Sequence, residues 1–364
     1  MSNQHDDHTA PGISRRRFLK TAALTGVGLA TSGSLLEALA QSSFRPGEGP
    51  ASQLALTANE IKFIKARKLR FGFNMNHRTD DFINSVIDGG TDAGKQYGID
   101  LLVGDANFDA AKQLSDVEGL IQQRVNAIFM VAVDADSISQ AILKANAAKI
   151  PVIIVGGPPV RGKAAAVLNS TSYQGCFDAT KALIKEIGGE GKIGVLNIPL
   201  ALKTIKDRDN GVTAAVKESG GKVQVVATQG SFNAGELSAA AQNMIQANPD
   251  LKGIMCTWSV AITAALSAVQ QSGKEIAVTG YDAEIDALKA IKTGKPATPS
   301  GKPILRATAG QQGRLQGKAG IDGLCKVILG KQIPLEILVP TIMVTSQNVE
   351  EAWKAFYPGK KAPW

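Results

Sequence analysis

The stretch DVEGLIQQRVNAIFMVAVDADSISQAILKANAAKIPVIIV, residues 116–155, decides how the rest of the chain is read. Val117, Leu120 and Ile121, with Leu114 just before them, fall three and four apart, the stripe of an amphipathic helix. NAIFMVAV (126–133) follows as an apolar run without alternation, a second helix spans about 137–148, and PVIIVG (151–156) is another unbroken apolar run. A strand that is apolar at every position is buried on both faces, which marks a parallel sheet covered by helices on both sides. Helix, strand, helix and strand joined by short connections make a doubly wound α/β architecture.

The same rhythm extends in both directions. Upstream, LRFGFN (69–74) is a strand, apolar residues at 82, 83, 86, 87, 93, 94 and 97 mark a helix face, and IDLLVG (99–104) is the next strand. AAAVLN (164–169) closes this first set. A second set follows: a helix at about 172–187, KIGVLN (192–197), a helix near 204–219, KVQVVAT (222–228), a helix at about 234–247 and KGIMCTW (252–258). A helix at 259–272, the strand EIAVTGYD (275–282) and a short helix at 284–293 complete it. Two separate runs of strands imply two sheets. Residues 41–66, opened by Pro46, Gly47, Gly49 and Pro50, read as a tether, and GKPATPSGKP (294–303) as a loop insertion. Ligands of such sheets sit beyond the carboxyl ends of the strands. That rule points to Asn76 through Phe82, Gly156-Gly157, Pro199 through Arg208, Phe232, Trp258 and Asp282.

The N-terminal forty residues read as an address. Arg15, Arg16 and Arg17 with Phe18-Leu19-Lys20 precede a short apolar stretch, and Ala38-Leu39-Ala40 supplies small residues for cleavage before Gln41. Paired arginines in this setting resemble a bacterial twin-arginine export signal, which carries folded proteins across the membrane. No cysteine follows the cleavage site and no other run reaches 18 apolar residues, so stable membrane insertion is not expected.

Composition removes several functional classes. Apolar content of 44% against 20% charged residues excludes a disordered chain. Cys176, Cys256 and Cys325 cannot make a disulfide scaffold or a CxxC knuckle, and His77 is the one histidine left after cleavage, so no zinc site is expected. No G-x-S-x-G elbow occurs, and GGEGKI (188–193) lacks the Ser or Thr of a phosphate loop and reads as a helix-ending turn. No cofactor is expected. The net charge of +8 includes the basic run Lys62, Lys65, Arg67, Lys68 and Arg70, which reads as a solvated helix face rather than a nucleic-acid site.

DFINSVIDGGTDAGKQYGIDLLV (81–103), the opening stretch 116–155, DRDNGV (207–212), AITAALSAVQQSGKEIAVTGYDA (261–283) and ATAGQQGRLQGKAGIDGLCKVILGK (307–331) carry a family resemblance in their order and spacing. Together they resemble the periplasmic sugar-binding proteins of ABC importers, of the ribose- and galactose-binding class. The resemblance covers about 68–345 and implies the periplasmic binding protein-like I fold: two doubly wound parallel-sheet lobes joined by a three-strand hinge. The crossings are expected near Asn169–Ser172, Gly310–Gly313 and Val339–Pro340. One lobe would comprise 67–170 plus 313–340, and the other 171–312 plus 341–360, with 1–40 as signal peptide and 41–66 as an N-terminal extension.

The resemblance also implies a site. Arg208 matches a ligand arginine, Asp282 a hydroxyl-accepting aspartate, and Gln311 a polar contact at a crossing. Phe82 and Phe232 match stacking rings on opposite lobes, and Asn76 and Asp80 are polar first-loop positions. The chain departs from ribose binders at Gly156-Gly157, where those carry an Asp-Arg pair, and at Trp258, which replaces an asparagine. The first change removes two charged contacts and opens space; the second puts a ring in place of a hydrogen-bonding group. Ribose itself is therefore not the expected ligand. The expected function is capture of a larger, modified or less hydroxylated carbohydrate and delivery to an ABC permease, by a periplasmic monomer that does not transform it. A polyol, furanone signal or nucleoside is the alternative ligand; a regulator would need a helix-turn-helix where this chain carries an export signal, and an enzyme would need a nucleophile.

Overall fold

The computed structural model describes residues 47–200 and 202–364; the twin-arginine segment, its cleavage site and the rest of 1–46 lie outside the described residues. Two sheets organise the described residues. The first holds seven parallel strands in the order β1 (Glu48–Pro50), β12 (Glu336–Val339), β6 (Ala166–Ser170), β5 (Val152–Val155), β4 (Ala127–Val131), β2 (Arg70–Met75) and β3 (Asp100–Asp105). The second holds six, in the order β13 (Ile342–Thr345), β11 (Leu305–Gly310), β10 (Ala277–Tyr281), β9 (Leu251–Cys256), β7 (Gly191–Asn197) and β8 (Val223–Gly230), with only β13 antiparallel.

The unbroken apolar runs follow from burial on both faces. Phe129 and Ile153 point into a core with α1 (Ala58–Lys65), α2 (Asp81–Tyr97) and α10 (Gly313–Ile328). Their neighbours Ile128, Met130, Val152 and Ile154 point the other way, against α3 (Ala110–Gln122) and α4 (Ala135–Ala147). The second sheet repeats the plan. One face packs on α5 (Ser172–Glu186) and α6 (Lys203–Lys217), the other on α7 (Ala234–Ala247), α8 (Ser259–Ser272), α9 (Ile285–Thr293) and α11 (Val349–Phe356). Glycine within a helix costs about 1 kcal/mol relative to alanine, yet α10 carries Gly317 facing α2. A Cβ there would stand 1.9 Å from the Val86 carbonyl oxygen, so the backbones meet only because the side chain is absent.

Three segments join the lobes. The chain leaves the first sheet after β6 at Thr171, returns from β11 through Gln311-Gln312 into α10, and crosses again from β12 to β13 through Pro340-Thr341. The crossings are laced together: the Thr341 N–H donates to Thr171 Oγ1 at 2.9 Å, Ser170 Oγ donates to Gln311 Oε1 at 2.8 Å, and Gln312 Nε2 donates to the Pro340 carbonyl at 2.8 Å.

Residues 47–66 are not a tether. β1 pairs in register with β12, and Ala51, Leu54 and Ile64 are buried in the first lobe's core. α1 starts with a Thr57–Glu60 capping box, and Lys326 of α10 donates to both Glu60 carboxylate oxygens at 3.0 and 2.9 Å. Pro and Gly at this position mark the turn into an edge strand rather than a linker. The 294–303 insertion lies at the amino ends of the second sheet, where Ser300 donates from its N–H and its hydroxyl to Glu275. No described helix is long and apolar enough to cross a membrane.

Candidate functional site

The carboxyl ends of the two sheets face each other, and the side chains there fall into two half-sites. In the first lobe β2 ends at Met75, and the next residues form a chain of hydrogen bonds. The Asn76 Oδ1 accepts from the His77 backbone N–H at 3.0 Å, which fixes the amide, and lies 2.9 Å from His77 Nδ1. His77 Nε2 lies 2.6 Å from Asp80 Oδ2, while Asp80 Oδ1 caps α2 by accepting from the Ile83 N–H at 2.7 Å. Both ring nitrogens thus face side-chain oxygens, which fixes the orientation of the ring. The ring also stacks on Phe108 at 4.2 Å between centroids. Phe82, half-buried, lines a narrow cleft with Ser85, Asp282, Gln311 and Tyr357.

In the second lobe the centre is Asp282, just past β10 and 7% exposed. Its φ of +89° is rare for any residue but glycine. The strand holds it there: its N–H donates to the Ala309 carbonyl at 2.9 Å and its own carbonyl accepts from Thr308 Oγ1 at 2.6 Å. The carboxylate accepts from Gln311 Nε2 at 2.7 Å and from the Ser259 N–H at 3.2 Å, and Arg208 Nη1 stands 3.8 Å away. Arg208, on α6 and 8% exposed, also donates to the Thr257 carbonyl at 2.8 Å and lies 4.1 Å above the Tyr281 ring. Burial raises the Asp282 pKa, with the Arg208 charge and the Gln311 hydrogen bond opposing it. Burial works against the Arg208 charge too, but Asp282 holds its pKa above the ordinary value.

Six buried side-chain polar atoms among the described residues have no hydrogen-bond partner, and three cluster here: Arg208 Nε, Thr257 Oγ1 and Trp258 Nε1. A buried unpaired donor or acceptor costs about 1–3 kcal/mol, so these three atoms leave hydrogen-bonding capacity that water or a polar ligand can take up. The carboxylates are also crowded. Glu284 is pushed up to about 8, first by burial and then by Asp282 and Asp80, with Asp81 adding to the effect and a hydrogen bond from Ser259 opposing it.

Seven of the eight residues expected from sequence meet in these half-sites: Asn76, Asp80, Phe82, Arg208, Trp258, Asp282 and Gln311. Phe232 does not join them. It stands 59% exposed beyond β8, the edge strand of its sheet. Gly156 and Gly157 have φ values of +116° and +138°, and the space beside them is not open. A Cβ on Gly156 would lie 3.8 Å from Leu202 Cδ1, and one on Gly157 would lie 3.2 Å from Lys203 Cβ, so the opposite lobe occupies that side.

Sequence reasoning reached His77 and Asp81 only as members of the stretch 76–82, with no role for either, and missed Tyr281 and Glu284. The spacing of His77 three residues before the helix cap Asp80 was the available signal. Among the described residues no group of three or more His, Cys, Asp and Glu side chains is arranged to hold a metal ion. Cys176 and Cys256 are fully buried and burial pushes both thiols up, which makes them packing residues rather than nucleophiles. Carboxylates and an amide that can accept hydroxyl protons, and a guanidinium that can donate, suit recognition of a polar molecule; the Trp258 and Phe82 rings are partly buried against the cores of their own lobes.

The family model for the periplasmic binding protein domain matches residues 71–332. The ribose import binding protein of Bacillus subtilis (strain 168) is 28% identical over 282 residues, 77% of this chain and 88% of that protein. The xylitol-binding protein of Mycolicibacterium smegmatis is 23% identical over 273 residues, 74% of this chain and 76% of its own length. The same fold is seen in an ABC transporter solute-binding protein from Mycobacterium smegmatis with bound glycerol, at TM-score 0.70 and 24% identity, covering 81% of this chain and 98% of that one. It is seen again in one from Bacillus halodurans C-125 with bound myo-inositol, at TM-score 0.69 and 24% identity, covering 80% and 98%. With two hinged α/β lobes, facing half-sites and a domain match over most of its length, the chain belongs to the periplasmic binding protein domain family.

Proposed function

We propose that this protein captures a sugar or polyol between its two lobes, in the periplasm after twin-arginine export, and hands it unchanged to an ABC permease as a monomer. The observation that supports this most directly is the Arg208–Asp282–Gln311 network with the unpartnered Arg208 Nε, Thr257 Oγ1 and Trp258 Nε1 beside it. Hydroxyls both donate and accept, so a polyhydroxyl ligand can meet the carboxylate and the orphan donors at once. Gln311 sits in a crossing segment and bonds Asp282, so ligand contact and hinge are one structure. Closure then follows from differential affinity for the closed state.

Ribose is not the favoured ligand, because Gly156-Gly157 offers no charged pair and Leu202 and Lys203 fill the neighbouring space. Trp258 suits a ring or chain with more apolar surface. Xylitol, glycerol and myo-inositol in the relatives' names favour polyols as the first compounds to try. A thermal-shift screen across pentoses, hexoses, acyclic polyols, cyclitols and nucleosides tests the reading. A ligand at a hundred times its dissociation constant adds about 2.7 kcal/mol, and a clear shift with a sugar or polyol is expected. A shift confined to nucleosides, or none with any polyhydroxyl compound, would overturn it.

A further inference from the structure

The first lobe is polarised in charge. Around the carboxyl ends of its strands lie Asp80, Asp81, Asp105, Asp109 and Asp134, with Arg78 and Lys112 among them, so acidic groups prevail there. At the opposite ends, the turns entering β2, β4, β5 and β6 carry Arg67, Lys68, Arg70, Arg124, Lys149 and Lys163, all exposed. Only Arg70 has an acidic partner among the described residues, Asp100 at 3.0 Å. Arg67, Lys149 and Lys163 line one shallow depression together with Asn126 and Asn146.

The backbone makes this more than a solvated helix face. Lys68, Arg124 and Lys149 have φ values of +50°, +56° and +59°, in the left-handed region that glycine occupies without penalty and other residues at a cost. Arg124 and Lys149 each close a helix in a six-to-one turn: the Val125 N–H donates to the Leu120 carbonyl, and the Ile150 N–H to Ala145. Where the same turn ends α2 and α10 the chain uses Gly98 and Gly330. Three neighbouring turns on one pole thus keep a cation where glycine would fit better. Strain retained at one surface points to a use for that surface.

We propose that this basic pole of the first lobe docks the protein on an anionic lipid bilayer. The inference rests on the ABC-importer reading only in giving the protein a membrane to work beside. Strands β2 to β6 are neighbours across the sheet, so the cations spread over a patch about 15 Å wide rather than converging on one small anion. A planar array of phosphates matches that geometry. Phe63, 52% exposed with the Arg67 guanidinium 4.4 Å above its ring, adds an apolar contact suited to the headgroup boundary. Because the pole lies at the amino ends of the strands, a docked molecule keeps its ligand cleft facing away from the lipid.

The test is co-sedimentation of the full chain with phosphatidylglycerol–phosphatidylcholine vesicles, compared with pure phosphatidylcholine, at low and high salt. The triple variant Lys68→Gly, Arg124→Gly, Lys149→Gly is set against an equal loss of charge elsewhere, Lys206→Gln, Lys217→Gln, Lys222→Gln; the N-terminal segment is common to all three proteins and cancels. Each cation near an anionic leaflet gives roughly a fivefold gain in partitioning, so the pole variant is expected to bind on the order of a hundredfold more weakly. It should melt no lower than wild type, because glycine relieves the three left-handed turns. Equal losses in both variants would show an effect of net charge alone, and retained binding in the pole variant, or equal binding of wild type to neutral vesicles, would likewise overturn the proposal. Ligand-induced thermal shifts are read separately and are expected to match wild type in the pole variant, so either reading can fail without the other.

Discussion

The Asp81 carboxylate of the first lobe accepts a hydrogen bond at 3.2 Å from the backbone N–H of Ile285, the first residue of α9 in the second lobe. α9 has no side-chain cap of its own, since Glu284 at its N-cap position makes no such bond. Asp81 therefore caps that helix across the cleft, and the cap exists only while the lobes are together.

Replacing Asp81 with alanine removes a cap worth about 1 kcal/mol. We expect Asp81→Ala to melt lower by a few degrees and to show a larger radius of gyration in small-angle scattering without ligand. Asp81→Asn keeps a side-chain acceptor and should lose less. Identical scattering from wild type and Asp81→Ala would show that the contact does not hold the lobes together.

Glu284 gives a pH dependence of definite sign. Its folded pKa of about 8 lies well above the ordinary 4.5, mainly through burial. Between those values the folded state keeps a proton that the unfolded state has released, so stability falls as pH rises through this window. The effect is absent below the ordinary value, where both states are protonated. Glu284→Gln should flatten the decline and raise the melting temperature at pH above about 8 by a few degrees. Parallel pH–stability curves for the two proteins would exclude this role for Glu284.

What the sequence disclosed and what it withheld have separate physical causes. The strands around Phe129 and Ile153 were legible because burial on both faces writes an unbroken apolar run. Asp282 stood out from its place just past a strand, whereas Arg208, within α6, and Gln311, at a crossing, took their expected roles from the family resemblance. Asp81 and Ile285 lie 204 residues apart, and no local pattern announces that a carboxylate on one lobe will cap a helix on the other. Residues 47–66 were misread because a three-residue edge strand between Pro46 and a 3₁₀ turn carries too little periodicity to register. Gly156-Gly157 was read as open space for a similar reason: what fills it, Leu202 and Lys203, comes from the opposite lobe.

That pair of glycines makes its own prediction. Gly157→Ala places a β-carbon at a φ of +138° and 3.2 Å from Lys203 Cβ, so it combines backbone strain with a lobe–lobe clash. Strain of this kind costs about 1–3 kcal/mol. Melting should fall accordingly, and ligand affinity should fall with it if the clash resists closure. Gly157→Asp, which restores one charge of the ribose-binder pair, is expected to behave like the alanine variant and to gain no ribose affinity in calorimetry. A gain would mean that Leu202 and Lys203 move aside and that the glycines alone exclude ribose.

Arg208 and Asp282 provide the sharpest test of the site, because both are buried and their opposite charges stand 3.8 Å apart. Truncating one partner leaves an uncompensated charge, a change that costs about 2–5 kcal/mol in affinity at comparable contacts. For Arg208→Ala and Asp282→Ala we therefore expect a ligand found by thermal screening to bind from about thirtyfold to several thousandfold more weakly. Asp282→Asn separates charge from shape. Asparagine tolerates the left-handed backbone that Asp282 adopts at a φ of +89°, and its side-chain oxygen still accepts from Gln311. That variant should keep the fold, at lower stability because buried Arg208 loses its counter-charge, and should lose most affinity, because the carboxylate facing Arg208 and the ligand hydroxyls is gone. Wild-type affinity in Asp282→Asn would move the binding site away from this network.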